Sequence, residues 1–132
     1  MASELVSQVT NGIRVSIRSA YIPDESSPRH QYFVFAYQIQ IQNESTETIQ
    51  LLSREWHITS GYSKKRVVSG AGVIGQQPII KPGAKFEYVS GVDFQCPIGK
   101  MEGHYLMTYP HTQETFKVQI PPFMMVYPIL YN

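Results

Sequence analysis

The stretch "QYFVFAYQIQIQN", residues 31–43, alternates side-chain character with a period of two. Phe33, Phe35, Tyr37, Ile39 and Ile41 fall on one face, and Gln38, Gln40 and Gln42 fall on the other. A strand has this period because successive Cβ atoms point to opposite faces, whereas a helix would scatter the same residues around its axis. Five large apolar side chains on one face demand a second layer to bury them. Asn43-Glu44-Ser45-Thr46 then supplies a polar turn.

The same period extends outward from this strand. In "GIRVSIRSA" (residues 12–20), Ile13, Val15 and Ile17 alternate with Arg14, Ser16 and Arg18. In "TIQLLSREWHITS" (residues 48–60) the apolar positions Ile49 and Leu51 are odd, whereas Leu52, Trp56 and Ile58 are even. A one-residue shift flips faces, so a bulge or change of sheet is expected near Leu51–Leu52. Further strands are legible at "KRVVS" (65–69), "AKFEYVSG" (84–91), "KMEGHYLMTY" (100–109) and "TFKVQI" (115–120). Ser60-Gly61-Tyr62-Ser63, Lys81-Pro82-Gly83, Cys96-Pro97-Ile98-Gly99 and Pro110-His111-Thr112 separate them as turns. About seven short strands with turn signals between them predict an antiparallel two-sheet β-sandwich. No window of about 11 residues carries a helical stripe. The domain is expected to span residues 11–132, with residues 1–10 a flexible N-terminus.

Composition narrows the function classes. The 132 residues suit one domain with a core of its own, and 42% of them are hydrophobic. Eleven Lys and Arg against ten Asp and Glu leave a formal charge of +1, so no general attraction to nucleic acid or an anionic membrane is expected. Cys96 is the sole cysteine, which precludes an internal disulfide and suits a reducing compartment. The start "MASELVSQVTNG" lacks the cationic and apolar regions of a secretion signal, so a cytoplasmic protein is expected.

One motif points elsewhere. Gly70, Gly72 and Gly75 stand in the G-x-G-x-x-G spacing of dinucleotide-binding loops. That motif requires a helix to follow, whose N-terminal N–H groups hold the phosphate. Here Pro78 is followed by Pro82-Gly83, which would end any helix after one turn. The glycines therefore read as permitting positive φ or close backbone approach in a long loop between sheets. Two uses of the loop remain open. Gly70, Gly72, Val73, Ile74 and Gly75 form a candidate partner-binding loop. Val73 and Ile74 are adjacent, so one should pack inward and the other reach solvent. Alternatively Gly70, Gly72 and Gly75, with Arg66 and Lys81, bind the phosphate of a nucleotide through a nest of N–H groups.

Four histidines invite a metal reading. His57 and His104 each lie two residues from a carboxylate, Glu55 and Glu102, and two strands could unite them. His30 and His111 add no His-x-His pair, and no Cys-x-x-Cys is present. No metal or other cofactor is expected. Cys96-Pro97 lacks any local motif for a nucleophile, and no catalytic residue is assigned.

"REWHIT" (54–59), "GAGVIGQQPIIKPG" (70–83), "FEYVSG" (86–91), "GKMEGHY" (99–105) and "QIPPF" (119–123) occur in the order and spacing of the ApaG (CorD) family. The sequence resembles a bacterial ApaG protein from about Asn11 onward. The resemblance implies a fibronectin type III-like sandwich, related to the immunoglobulin-like folds. It also implies a link to cobalt tolerance and magnesium efflux, with no molecular activity attached. Similar domains are appended to eukaryotic F-box proteins, where they look like interaction modules. The turn Ser60-Gly61-Tyr62-Ser63-Lys64-Lys65 replaces one that is often acidic and glycine-rich in the family. The expectation is a non-enzymatic module for an unidentified protein partner, as a monomer or weak dimer, without membrane or nucleic acid.

Overall fold

The computed structural model describes residues 5–61 and 64–128, with the side chain of Lys64 outside that set. Nine strands run in chain order: β1 Val6–Thr10, β2 Ile13–Tyr21, β3 Phe33–Asn43, β4 Ile49–Ser60, β5 Lys64–Ala71, β6 Ile79–Ile80, β7 Lys85–Phe94, β8 Ile98–Thr108 and β9 Thr115–Val126. No α-helix occurs among the described residues; two single 3-10 turns span Pro23–Glu25 and Pro28–His30.

One antiparallel sheet has the order β1-β2-β3-β7. The other has the order β5-β4-β8-β9, and the short β6 continues the β5 side of β4. The predicted face of β3 is buried throughout and meets Ile13, Val15 and Ile17 of β2. Trp56 of β4 packs edge-on against Tyr37 at 5.6 Å and Phe123 at 6.0 Å, which joins the two layers. The sandwich expected from strand count is the fold observed.

The expected slip in β4 is a bulge between Leu51 and Ser53. Ile49 and Leu51 face the core before it, Trp56 and Ile58 after it. Arg54, sharing parity with Trp56, is thereby carried onto the inner face of the sheet.

Three boundaries differ from the sequence reading. The sheet begins at Val6 rather than after residue 10, because Asn11-Gly12, both with positive φ, closes a tight hairpin that pairs β1 with β2. β1 buries little, so its pattern carries no strong alternation. The strand expected to stop at Ile120 continues to Val126, since Pro121-Pro122 sit at a register shift in an edge strand where no ladder N–H is missed. The glycine loop also does not join the sheets: β5 and β6 flank it on the same side of β4, and the crossing falls at Lys81-Pro82-Gly83. Part of the expected turn at residues 60–63, Tyr62-Ser63, lies outside the described residues.

Asn43 ties this crossing together. It is fully buried, its Nδ2 donates to the carbonyls of Glu47 (2.7 Å) and Ile80 (2.9 Å), and its Oδ1 accepts from Ser45 N at 3.0 Å. Its backbone exchanges bonds with Ala84 O and Gly83 N. Two of the three passages between the sheets, β3 to β4 and β6 to β7, are thus held by one residue.

Candidate functional site

The glycine loop is a small hairpin projecting from the edge of β4. Val73 and Gln76 exchange both backbone bonds, N to O at 2.8 and 2.9 Å. Ile74 and Gly75 between them have φ of 42° and 75°, the two left-handed residues of a type I′ turn. Such turns favour Asn-Gly, because a β-branched side chain in the left-handed region is strained by about 1–2 kcal/mol. Ile74 occupies that position with 55% of its surface exposed, while Val73 is 1% exposed and belongs to the core. One adjacent residue packs inward and the other faces solvent, as the alternation argument requires.

The base of the hairpin is pinned at the β4 bulge. Leu52 O, freed by the register shift, accepts from Gly72 N and Gln77 Nε2, both at 2.8 Å. Leu51 N reaches Pro78 O at 3.0 Å, and Gln50 Nε2 reaches Gln77 O at 3.1 Å. From below, Arg54 Nη1 donates to Ala71 O (3.1 Å) and Gly72 O (2.8 Å). A Cβ at Gly72 would run into Gln76 O, so that glycine is required by close approach. The base is hydrogen-bonded throughout and the tip is exposed.

The residues of the phosphate reading are placed differently. The N–H groups of Gly72, Val73 and Gln76 are bonded to protein carbonyls. Gly70 lies within β5 rather than in the turn. Arg66 is six residues from Gly72 along an extended strand, roughly 20 Å away, and its Nη2 donates to Asp93 O at 2.8 Å. Lys81 lies beyond β6 in the crossing turn.

His57 and His104 do come together on the outer face of the second sheet. Glu55 lies opposite His104, and His57 opposite Glu102, in the β4–β8 register. His57 Nε2 meets Glu55 Oε2 at 2.9 Å, and this hydrogen bond, aided by the charges of His104, His57 and Lys117, holds the Glu55 carboxyl below the usual range. Glu102 pairs with Lys100 at 3.0 Å. Among the described residues no group of three or more His, Cys, Asp or Glu side chains is arranged to hold a metal ion. His30 Nδ1 bonds Ser27 Oγ at 2.6 Å, and His111 lies in the turn between β8 and β9.

Sequence reasoning did not single out the polar cluster inside the sandwich. Tyr88 Oη of β7 and Tyr105 Oη of β8 lie 2.6 Å apart and buried. Burial pushes both hydroxyls well above the ordinary tyrosine value, and Tyr37, bonded to Ser90, rises for the same reason. Arg54 offsets these shifts from one side. Its inward placement follows from the parity of Leu52, Trp56 and Ile58, which was the available signal.

Two antiparallel sheets packed face to face, with an apolar-tipped hairpin pinned to one edge, define a fibronectin type III-like β-sandwich. The solved structure of a Bordetella pertussis protein described as ApaA superposes with a TM-score of 0.85 at 40% identity, covering 88% of this chain and 94% of that one. The ApaG domain family matches residues 23–109, and the chain belongs to that family. It is 45% identical to Protein ApaG of Pectobacterium carotovorum over 88% of this chain and 92% of the relative. Against Protein ApaG of Vibrio cholerae it is 43% identical, over 91% and 94% of the two chains.

Proposed function

We propose that this domain is a non-enzymatic protein-interaction module whose contact centres on the Ile74 hairpin. One observation carries the reading: an exposed β-branched residue is held in a left-handed turn position that Asn or Gly would fill with less strain. Strain retained at an exposed site is accounted for when the side chain itself is needed there. An apolar tip on a pinned base fits protein recognition, since an isoleucine adds nothing to the binding of an anion. On this reading the module works in cytoplasmic divalent-cation homeostasis, a role that the family resemblance supports, and acts through its partner rather than by holding the ion.

The test compares two kinds of ligand. Titrating the purified protein with ATP, pyrophosphate and diadenosine tetraphosphate should give no signal. Capture of the native partner should succeed with the wild type and fail with Ile74→Glu, at unchanged melting temperature. A pyrophosphate signal lost in Arg66→Ala or Lys81→Ala, with partner capture indifferent to Ile74, would replace this reading by the nucleotide one.

A further inference from the structure

Strand β5 has one side unpaired. β4 takes the other, and among the described residues no strand pairs with β5 from outside. Gly72 N donates to Leu52 O in the register that sets Ala71 against Ser53. Alternation then turns the backbone N–H and C=O of Arg66, Val68 and Gly70 toward β4 and those of Lys65, Val67 and Ser69 outward. Residues 65–69 are all exposed, including Val67 at 56% and Val68 at 40%. Exposed edges are normally blunted by charge, proline or a bulge. Here Lys65 and Arg66 guard one end, and nothing comparable protects Val67 to Ala71.

The core is open along this same flank. Val68 lies opposite buried Trp56, and below them a cleft of about 230 Å³ is lined by Tyr37, Arg54, Ser90 and Val92. Gly70 passes over the guanidinium of Arg54: a Cβ there would stand 3.0 Å from Nη1, so its absence leaves the cation open to the edge. Arg54 Nη1 is occupied by two carbonyls, whereas Nε and Nη2 have no hydrogen-bond partner among the described residues. No described carboxylate lies within 4.0 Å of the side-chain nitrogens of Arg54, Lys65 or Arg66. Asp93, at the Arg66 end, offers Arg66 only its backbone carbonyl.

We propose that β5 accepts an extended acidic segment of a partner protein as an added strand, with one carboxylate passing over Gly70 to Arg54. Backbone pairing to Lys65, Val67 and Ser69 supplies affinity, and the arginine–carboxylate bond supplies register and charge selectivity. The inference rests on the interaction-module reading and extends its contact from the hairpin tip to the adjoining edge.

The probe is a capped nine-residue peptide of alternating valine and glutamate with threonine ends, set against the same peptide carrying lysine for glutamate. Titrated into ¹⁵N-labelled protein, the acidic peptide should shift the amides of Lys65, Val67 and Ser69 and slow their hydrogen exchange. Affinity should fall about ten-fold or more for the lysine peptide and for Arg54→Gln. Since Arg54→Gln also frees two loop carbonyls, Val67→Pro serves as the second variant. Its N–H lies outside the β4 ladder, so it should keep its melting temperature and lose the peptide. Ile74→Glu should leave peptide affinity within about two-fold, which separates this surface from the hairpin. Equal binding of both peptides, shifts confined to other strands, or retained binding in Val67→Pro would each overturn the proposal. So would a concentration-dependent dimer abolished by Val67→Pro, which would make a second copy of this chain the occupant.

Discussion

The hydroxyls of Tyr88 and Tyr105 meet at 2.6 Å between the two sheets, and both residues are buried. One comes from β7 and the other from β8, so the bond forms only when the layers are correctly aligned. Replacing Tyr105 by Phe leaves the Tyr88 hydroxyl without this partner and should cost about 1–3 kcal/mol in urea unfolding. Tyr88→Phe together with Tyr105→Phe should cost less than the sum of the single changes.

The same pair predicts alkaline sensitivity. Both folded values lie above that of an unfolded tyrosine, near 10, so the unfolded chain loses its protons first as pH rises. Their contribution is complete below about pH 10 and is lost progressively above it, at up to roughly 1.4 kcal/mol per pH unit for each tyrosine. Melting temperatures measured from pH 8 to 11 should fall steeply at the top of the range, and the double Phe variant should fall less.

Adjacent residues of the hairpin should separate cleanly. Val73→Glu buries an unpaired charge and should lose about 3–5 kcal/mol of stability. Ile74→Glu should stay near the wild type. Ile74→Asn should gain about 1 kcal/mol by relieving the left-handed isoleucine, while losing partner capture. A destabilised Ile74→Asn would remove the strain argument.

Gly103 lies between Trp56 of β4 and Ile120 of β9, and a Cβ there would run into the carbonyl oxygen of Glu55. Gly103→Ala must push β8 from β4 and should cost about 3 kcal/mol, as overpacking does, read as a lowered urea midpoint.

The strands that carry the core were legible because parity reports burial directly: Phe33 to Ile41 alternate without a break, and the slip at Leu51–Leu52 announced the bulge. β1 was missed because it buries little, although Asn11-Gly12 is a strong hairpin signal. β9 was cut short because proline usually ends a strand, and only the register shows that an edge tolerates it. Within the candidate site, the split between Val73 and Ile74 followed from adjacency alone. The remoteness of Arg66 from the hairpin and the meeting of Tyr88 with Tyr105 depend on how two sheets are stacked, which no local pattern encodes.

The first and last strands, β1 and β9, lie side by side, with Gln119 N reaching Thr10 Oγ1 at 3.3 Å, while β5 and β7 line the opposite flank, joined by Arg66 and Asp93. This arrangement works as a mount. A neighbouring domain, an affinity tag or a sensor surface attached through either terminal strand grips the molecule from behind, leaving the hairpin and the open edge turned away from the attachment. The fold is thus suited to being carried on another chain, and immobilisation through either terminal strand should leave the flank of β5 and the hairpin unobstructed.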